Sequence, residues 1–297
     1  MPVGDIISES DYTTIRNKIV RVIGTGDGSR GYGQSVQSSS VSSGNIITKA
    51  QWDALRWDIY NALYHQTGTV PSIIQVEANS VIRYGAAQPN TQYSTLSDTA
   101  DTNRFNLGVG QFSVEAGGTA TRSTSWASQV ESVVTVTFTT SEAARFFFNS
   151  GGKIRFTSSR TGGATSDQNA SWSSLLTSVG TQAFGAITPA VNFYSLTNAY
   201  QTWYSSSPTS FPYSGNTYRL EALCDVANNS TGTARILTFR ARWIDSYVDT
   251  QPLPPDDVVD GSLSLSVDQI RATGGLQPSG TFTITSPSYS VGAITGS

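Results

Sequence analysis

The chain has 297 residues, 37% of them apolar and only 13% charged, with a formal net charge of -3. Globular proteins usually give about a quarter of their residues to charge, so serine, threonine, glycine, asparagine and glutamine must carry this surface. Such a balance is common in β-rich extracellular or viral structural proteins and argues against a cytosolic metabolic enzyme. The lack of a basic excess argues against direct contact with nucleic acid.

The single cysteine, Cys224, rules out an intrachain disulfide. Within RLEALCDV it reads as a small buried apolar group. No apolar run approaches the roughly 20 residues that a membrane-spanning helix needs, so no membrane is expected. The opening MPVGDIISESDY lacks a signal-peptide pattern. If the protein ends outside a cell, it is expected to travel there as part of an assembly released by lysis.

Residues 7–24, ISESDYTTIRNKIVRVIG, predict a first helix. Ser8 or Ser10 can cap it, Ile15, Ile19 and Val22 repeat at helical spacing, and Gly24 can end it. Residues 24–45 are polar and glycine-rich and read as a loop or extended arm. A second helix follows, capped by Thr48, with Trp52, Leu55, Ile59, Ala62 and Leu63 on its apolar stripe and an end near Gly68.

Strand patterns dominate beyond that point. Val133–Phe138 is a strong strand. Arg219–Val226 and Ala234–Val248 predict antiparallel neighbours joined through VANNSTGT. In the second of these, Leu237, Phe239, Ala241 and Trp243 alternate with a polar face carrying Arg240 and Arg242. QPLPPDDVVDG, 251–261, reads as a linker. The remaining tail, with SLSLSV and GTFTITSP, is too short to fold alone and is expected to add strands to a sheet of this or another chain.

The run SEAARFFFNSGGKIRF fits two geometries. Either Phe146–Phe148 is a strand turning through NSGG into KIRF, or Ser141 caps a short helix that stops at Asn149 or Gly151. Glu142, Ala143 and Ala144, with glycine just past the end, favour the helix. In neither geometry can three adjacent phenylalanines face one surface, so more than one packing surface is expected. A phosphate loop would need GxxxxGK followed by Ser or Thr and a helix. Here only GGK is present, and Ile154 opens a strand pattern.

The expected fold class is α+β: two N-terminal helices beside a mainly antiparallel β-rich body, with an extended C-terminal tail. The corresponding ranges are 1–68, 69–250 and 251–297.

The segments SEAARFFFNSGGKIRFTSSRTGG and NASWSSLLTSVGTQAF resemble a family of uncharacterised structural proteins in the virions of tailed bacteriophages, of the cyanophage and marine-phage type. The resemblance covers about residues 130–190, with a looser match in the N-terminal helices. It implies a place in the tail, neck, baseplate or fibre region. It transfers no catalytic residue.

Candidate chemistry is sparse. His65 is the only histidine, and at a helix end it reads as a solvent-facing or capping group, so zinc and histidine triads have no support. Asp98 and Asp101 in one stretch, and Asp256, Asp257 and Asp260 in another, offer carboxylates for glycan hydrolysis or calcium. Neighbouring loop acids are ordinarily just solvated, and the second stretch lacks the twelve-position spacing of an EF-hand.

Aromatic residues crowd 172–218 and suit subunit packing, glycan stacking or plain core filling. Arg145, Arg155 and Arg160 are expected to pair with carboxylates or carbonyls across an interface. The candidate interface residues are Phe146, Phe147, Phe148, Arg155, Trp172, Trp203, Tyr204 and Tyr213. No catalytic, metal or cofactor residue is assigned. The expected role is a structural virion subunit that assembles with copies of itself and other virion proteins. A carbohydrate-binding receptor module for a host glycan and a virion-bound glycan hydrolase are the alternatives.

Overall fold

The computed structural model describes residues 7–83, 85, 87–209, 212–248 and 258–296. The chain divides into two compact units interleaved along the sequence. The first comprises Met1–Ser113, Arg145–Gly152 and Arg271–Thr285; the second comprises Val114–Ala144, Lys153–Ile270 and Ser286–Ser297.

The first unit is helical. α1 (Glu9–Ile23) starts where the Ser8 amide donates to the Asp11 carboxylate at 2.8 Å, and it buries Tyr12, Ile15, Ile19, Val22 and Ile23. α2 (Lys49–Thr67) is capped by Thr48, whose hydroxyl accepts from the Gln51 amide, and ends at Gly68. α3 (Pro89–Thr102) was not anticipated from the sequence. Its apolar content is low: it buries Asn90, Tyr93, Ser97 and Ala100, so no apolar stripe announces it. An aromatic relay ties the three helices together. Trp52 meets Tyr12 at 5.3 Å and Tyr93 at 5.5 Å, both edge-on.

Residues 24–48 form neither helix nor strand. They are not a free arm, because Tyr32, Gln34, Ser38 and Val41 are buried. α2 supplies the polar partners that make this burial tolerable. Asp58 accepts from the amides of Gln37 and Ser38 at 2.9 Å each. Gln66 donates to the Tyr32 hydroxyl and to the Ala100 carbonyl. Asn61 accepts from the Gln277 amide and donates to the Gln277 carbonyl, holding the C-terminal segment by both groups.

His65 belongs to this set and corrects the solvent-facing expectation. It is 1% exposed, stacks on Phe282 at 4.2 Å and lies 2.9 Å from the Ser150 carbonyl. A carbonyl accepts only, so Nε2 carries a proton, and burial keeps the ring neutral near pH 7. Burial pulls its pKa down from 6.5 to about 4.

α4 (Ser141–Asn149) settles the phenylalanine run as a helix. Its first turn is held by Thr140 rather than Ser141: the Thr140 hydroxyl accepts from the Ala143 amide at 3.0 Å. Gly151 follows with φ +84°, a left-handed stop that glycine adopts without strain. Phe147 and Phe148 are fully buried in edge-on contact at 5.1 Å. Phe146 is half-buried, stacks under the Arg145 guanidinium and covers Gly33 so closely that a methyl there would overlap its ring. The triplet therefore does point to more than one surface, and these contacts all lie within the first unit.

The second unit is a two-sheet sandwich. β1 (Phe112–Arg122), β3 (Lys153–Thr161), β4 (Thr181–Phe184) and β8 (Ser262–Ala272) form one sheet in the order β1-β8-β3-β4. β2 (Gln129–Thr137), β5 (Gln201–Ser206), β6 (Thr217–Cys224) and β7 (Ile236–Ile244) form the other, in the order β2-β7-β6-β5. β9 (Ser288–Val291) and β10 (Thr295–Gly296) pair in succession along the free edge of β2.

The tail thus adds strands to the chain's own sheets, with SLSLSV lying between β1 and β3. β6 and β7 are antiparallel neighbours as expected, with Leu237, Phe239, Ala241 and Trp243 inward. Phe156 and Phe184 from one sheet meet Trp203 and Phe239 from the other at 5.0–5.8 Å. Each such side chain contributes about 1.5–3 kcal/mol by leaving water.

α5 (Asp167–Val179), also unanticipated as a helix, packs against β3 and buries Trp172 edge-on to Trp126 at 5.0 Å. Most of the expected 251–261 linker, with Asp256 and Asp257, lies outside the described residues.

Two outcomes follow. Because His65 is neutral when folded but titrates near 6.5 when unfolded, stability should fall as pH drops from about 6.5 towards 4. A conformational stability curve against pH checks this, and His65→Gln should flatten that segment. Phe147→Ala should cost about 3–5 kcal/mol by chemical denaturation, and Phe146→Ala, at a half-exposed ring, distinctly less.

Candidate functional site

The structure removes several candidates from any exposed surface. Phe147, Phe148 and Trp172 are core residues, Trp203 and Tyr213 are buried at 7% and 6% exposure, and Phe146 and Tyr204 are half-buried. Of the aromatic crowd in 172–218, Phe211 lies outside the described residues.

The arginines pair inside the chain. Arg155 forms a bidentate pair with Asp268 at 2.5 and 2.9 Å. Arg145 donates to the carbonyls of Arg30 and Thr25. Arg160 reaches the Asn169 carbonyl, the Ser173 hydroxyl and Asp260.

The acids are held in the same way. Asp98 and Asp101 lie on α3, where Asp98 pairs with Lys18 and Asp101 with Arg30. The Arg30 hydrogen bond holds the Asp101 carboxyl below the usual carboxylate range. Asp260 accepts from the Ala164 amide and the Asn169 side chain, and these bonds lower its pKa too. These carboxylates serve as structural anions. Among the described residues no group of three or more His, Cys, Asp or Glu side chains could hold a metal ion.

Tyr213 lines a concavity of the second unit. A cleft of about 520 Å³ opens between α5 and the segment after β5. Asp167, Ser171, Ser174 and Ser178 line it from one face of α5, at helical spacing. Ser207, Pro208, Thr209, Pro212 and Tyr213 line the other wall. Tyr213 is held edge-on to Tyr247 at 4.8 Å. The Ser171 hydroxyl oxygen is buried without a hydrogen-bond partner. Hydroxyls, one carboxylate and flat apolar faces suit a polyhydroxylated ligand better than an apolar one. The sequence pointed to Tyr213 through the aromatic crowding. The serine row could be found only once 167–179 was known to be a helix.

The first unit carries a different feature. A groove of about 270 Å³ is lined by Ile7, Ile46, Ile47, Trp52, Val81 and Ile82, with Glu9, Asn45 and Ser80 at its rim. Ile46 is 88% and Val81 59% exposed. No sequence pattern indicated this patch, because its residues come from the irregular segments on either side of α2 and from the start of α1.

The outward face of the six-stranded sheet carries a charge ladder. Glu131, Arg242 and Arg219 stand side by side across β2, β7 and β6, and Val133, Arg240 and Glu221 form the next row. Arg240 donates to Glu221 at 2.8 Å and lies over the Tyr200 ring at 4.1 Å. Arg242 donates to Gln129 and has carboxylate oxygens of Glu131 and Glu221 at 3.7 Å.

No protein-family model, no curated protein and no solved structure matches the chain. Among the described residues no helix is long and apolar enough to cross a membrane.

Proposed function

We propose that the chain is a structural subunit of a bacteriophage virion, in the tail, neck or baseplate region, that works by docking against copies of itself and other virion proteins. The observation that carries this reading is the apolar groove around Ile46 and Val81. The surface relies mainly on hydroxyls and amides, and its exposed aliphatic side chains, such as Val70, Val109 and Ile187, are scattered along the sequence. In the groove the exposed Ile46 and Val81 gather with the part-buried Ile7, Ile47 and Ile82 beside a buried tryptophan, the kind of clustered apolar surface that association covers. The sparse charge, and the resemblance of the segments around α4, β3 and α5 to virion proteins, support the same reading.

The assembly reading has a direct test. Ile46→Asp with Val81→Asp should leave the thermal unfolding midpoint within a few degrees, because both side chains are exposed in the chain itself. It should also lower the mass of the purified protein by light scattering, or its incorporation into purified particles. An unchanged assembly state in this variant would remove the groove as the docking surface. A wild-type chain that is strictly monomeric and does not join particles would count against the whole reading.

A second reading, a carbohydrate-binding module contacting a host glycan, is favoured by the hydroxyl-lined cleft at Tyr213. On a glycan array the wild-type chain should then show a specific signal that Ser174→Trp, which fills the cleft from the exposed face of α5, abolishes. A signal that survives Ser174→Trp would place glycan binding elsewhere.

A further inference from the structure

The charge ladder on the six-stranded sheet is unequally satisfied. Its five charged residues are Arg219, Arg240, Arg242, Glu131 and Glu221, three cations against two anions. Glu221 is the most enclosed, with its side chain 8% exposed, and Arg240 takes it at hydrogen-bonding distance. Glu131 accepts from Gln129 at 3.4 Å and lies closest to Arg242 and Arg240.

Arg219 is left over. Its nearest carboxylate oxygen, on Glu221, is 4.0 Å away, which is beyond a hydrogen bond, and its Nε is buried without a partner. Among the described residues its guanidinium makes no hydrogen bond, yet its side chain is 35% exposed and open to solvent on one side.

An arginine directly opposite another arginine is unfavourable by itself. Arg219 and Arg242 are such a pair. A carboxylate placed on the exposed side of Arg219 would meet the planar guanidinium with two parallel hydrogen bonds and offset the local excess of positive charge. The surroundings fit a small ligand with hydroxyls. Ser205 lies opposite Arg219, and Thr202 lies opposite Glu221, both on the edge strand β5 and both exposed.

We infer that Arg219, on the outward face of the six-stranded sheet, receives the carboxylate of a small acidic ligand, as a free carboxylic acid or as an acidic sugar unit. This site shares no residue with the apolar groove or the Tyr213 cleft, so its failure would leave both proposed roles standing, and theirs would leave this one.

Titration of the full chain with sodium glucuronate, glucose and sodium acetate at fixed ionic strength, followed by calorimetry or by chemical-shift changes, tests it. Glucuronate should bind saturably with a dissociation constant of millimolar order, while glucose gives no response. Acetate binding as well as glucuronate identifies a simple carboxylate site, and acetate binding about tenfold or more weaker identifies an acidic-sugar site. Arg219→Gln should weaken glucuronate at least about tenfold, and Arg219→Lys, which keeps the charge but loses the fork, should fall between. Unfolding curves of both variants matching wild type exclude a folding defect. No saturable response to either acid, equal binding of glucose and glucuronate, or glucuronate binding unchanged in both variants would overturn the assignment.

Discussion

The backbone of the irregular segments is the constraint that shapes this chain. A buried amide or carbonyl without a partner costs about as much as a lost hydrogen bond, and a long loop can be buried only if something supplies those partners. In the first unit that supply comes from α2. Asp58, Asn61, His65 and Gln66 sit where an apolar helix face would ordinarily be, and each is buried. Asp58 and Gln66 hold residues 32–38, Asn61 holds Gln277, and His65 holds Ser150. α2 is therefore both a core helix and a polar frame. Its apolar residues pack α1 and α3, and its polar ones replace the sheet or helix ladder that the loops lack.

The second unit repeats this solution at its loops. Asn229, fully buried, donates to the Phe193 carbonyl and accepts from the Ala234 amide. Asn216 accepts from the amides of Ser246 and Tyr247. Asp260 and Asn169 together fasten the turn at Ala164. A chain with few charges relies on short amide and carboxylate side chains for these tasks, because they reach backbone groups at small entropic cost. The same economy explains why the conspicuous aspartates and arginines are occupied in structural pairs. Among the described residues, features open to partners include the apolar groove of the first unit and, in the second, the Tyr213 cleft and the incompletely satisfied Arg219.

Legibility from sequence followed periodicity. The caps at Ser8 and Thr48, the stripe of α2 and the alternation of β7 are local patterns, and each corresponds to an observed element. The helical reading of Ser141–Asn149 rested on two alanines and a following glycine, again local information. α3 escaped because residues such as Asn90 and Ser97 occupy its buried face, and α5 because serines dilute its stripe. His65 was misjudged for a related reason. Its position at a helix end is visible in the sequence, but Phe282 and Ser150, which enclose it, come from 217 and 85 residues further along the chain.

By itself the sequence determined what short-range physics controls: an α+β class, the helix starts and stops, the inward and outward sides of the strands, and a surface short of charge. Tertiary structure alone decided which of those residues remain available. Phe147, Phe148 and Trp172 became core because the chain folds its own elements over them. Ile46 and Val81 became surface because nothing in the described chain covers them. Arg219 became an incompletely satisfied cation because strand register placed Arg242 opposite it and left Glu221 at 4.0 Å, beyond a hydrogen bond. Burial and register are set by contacts between distant parts of the chain, and no local window of sequence contains them.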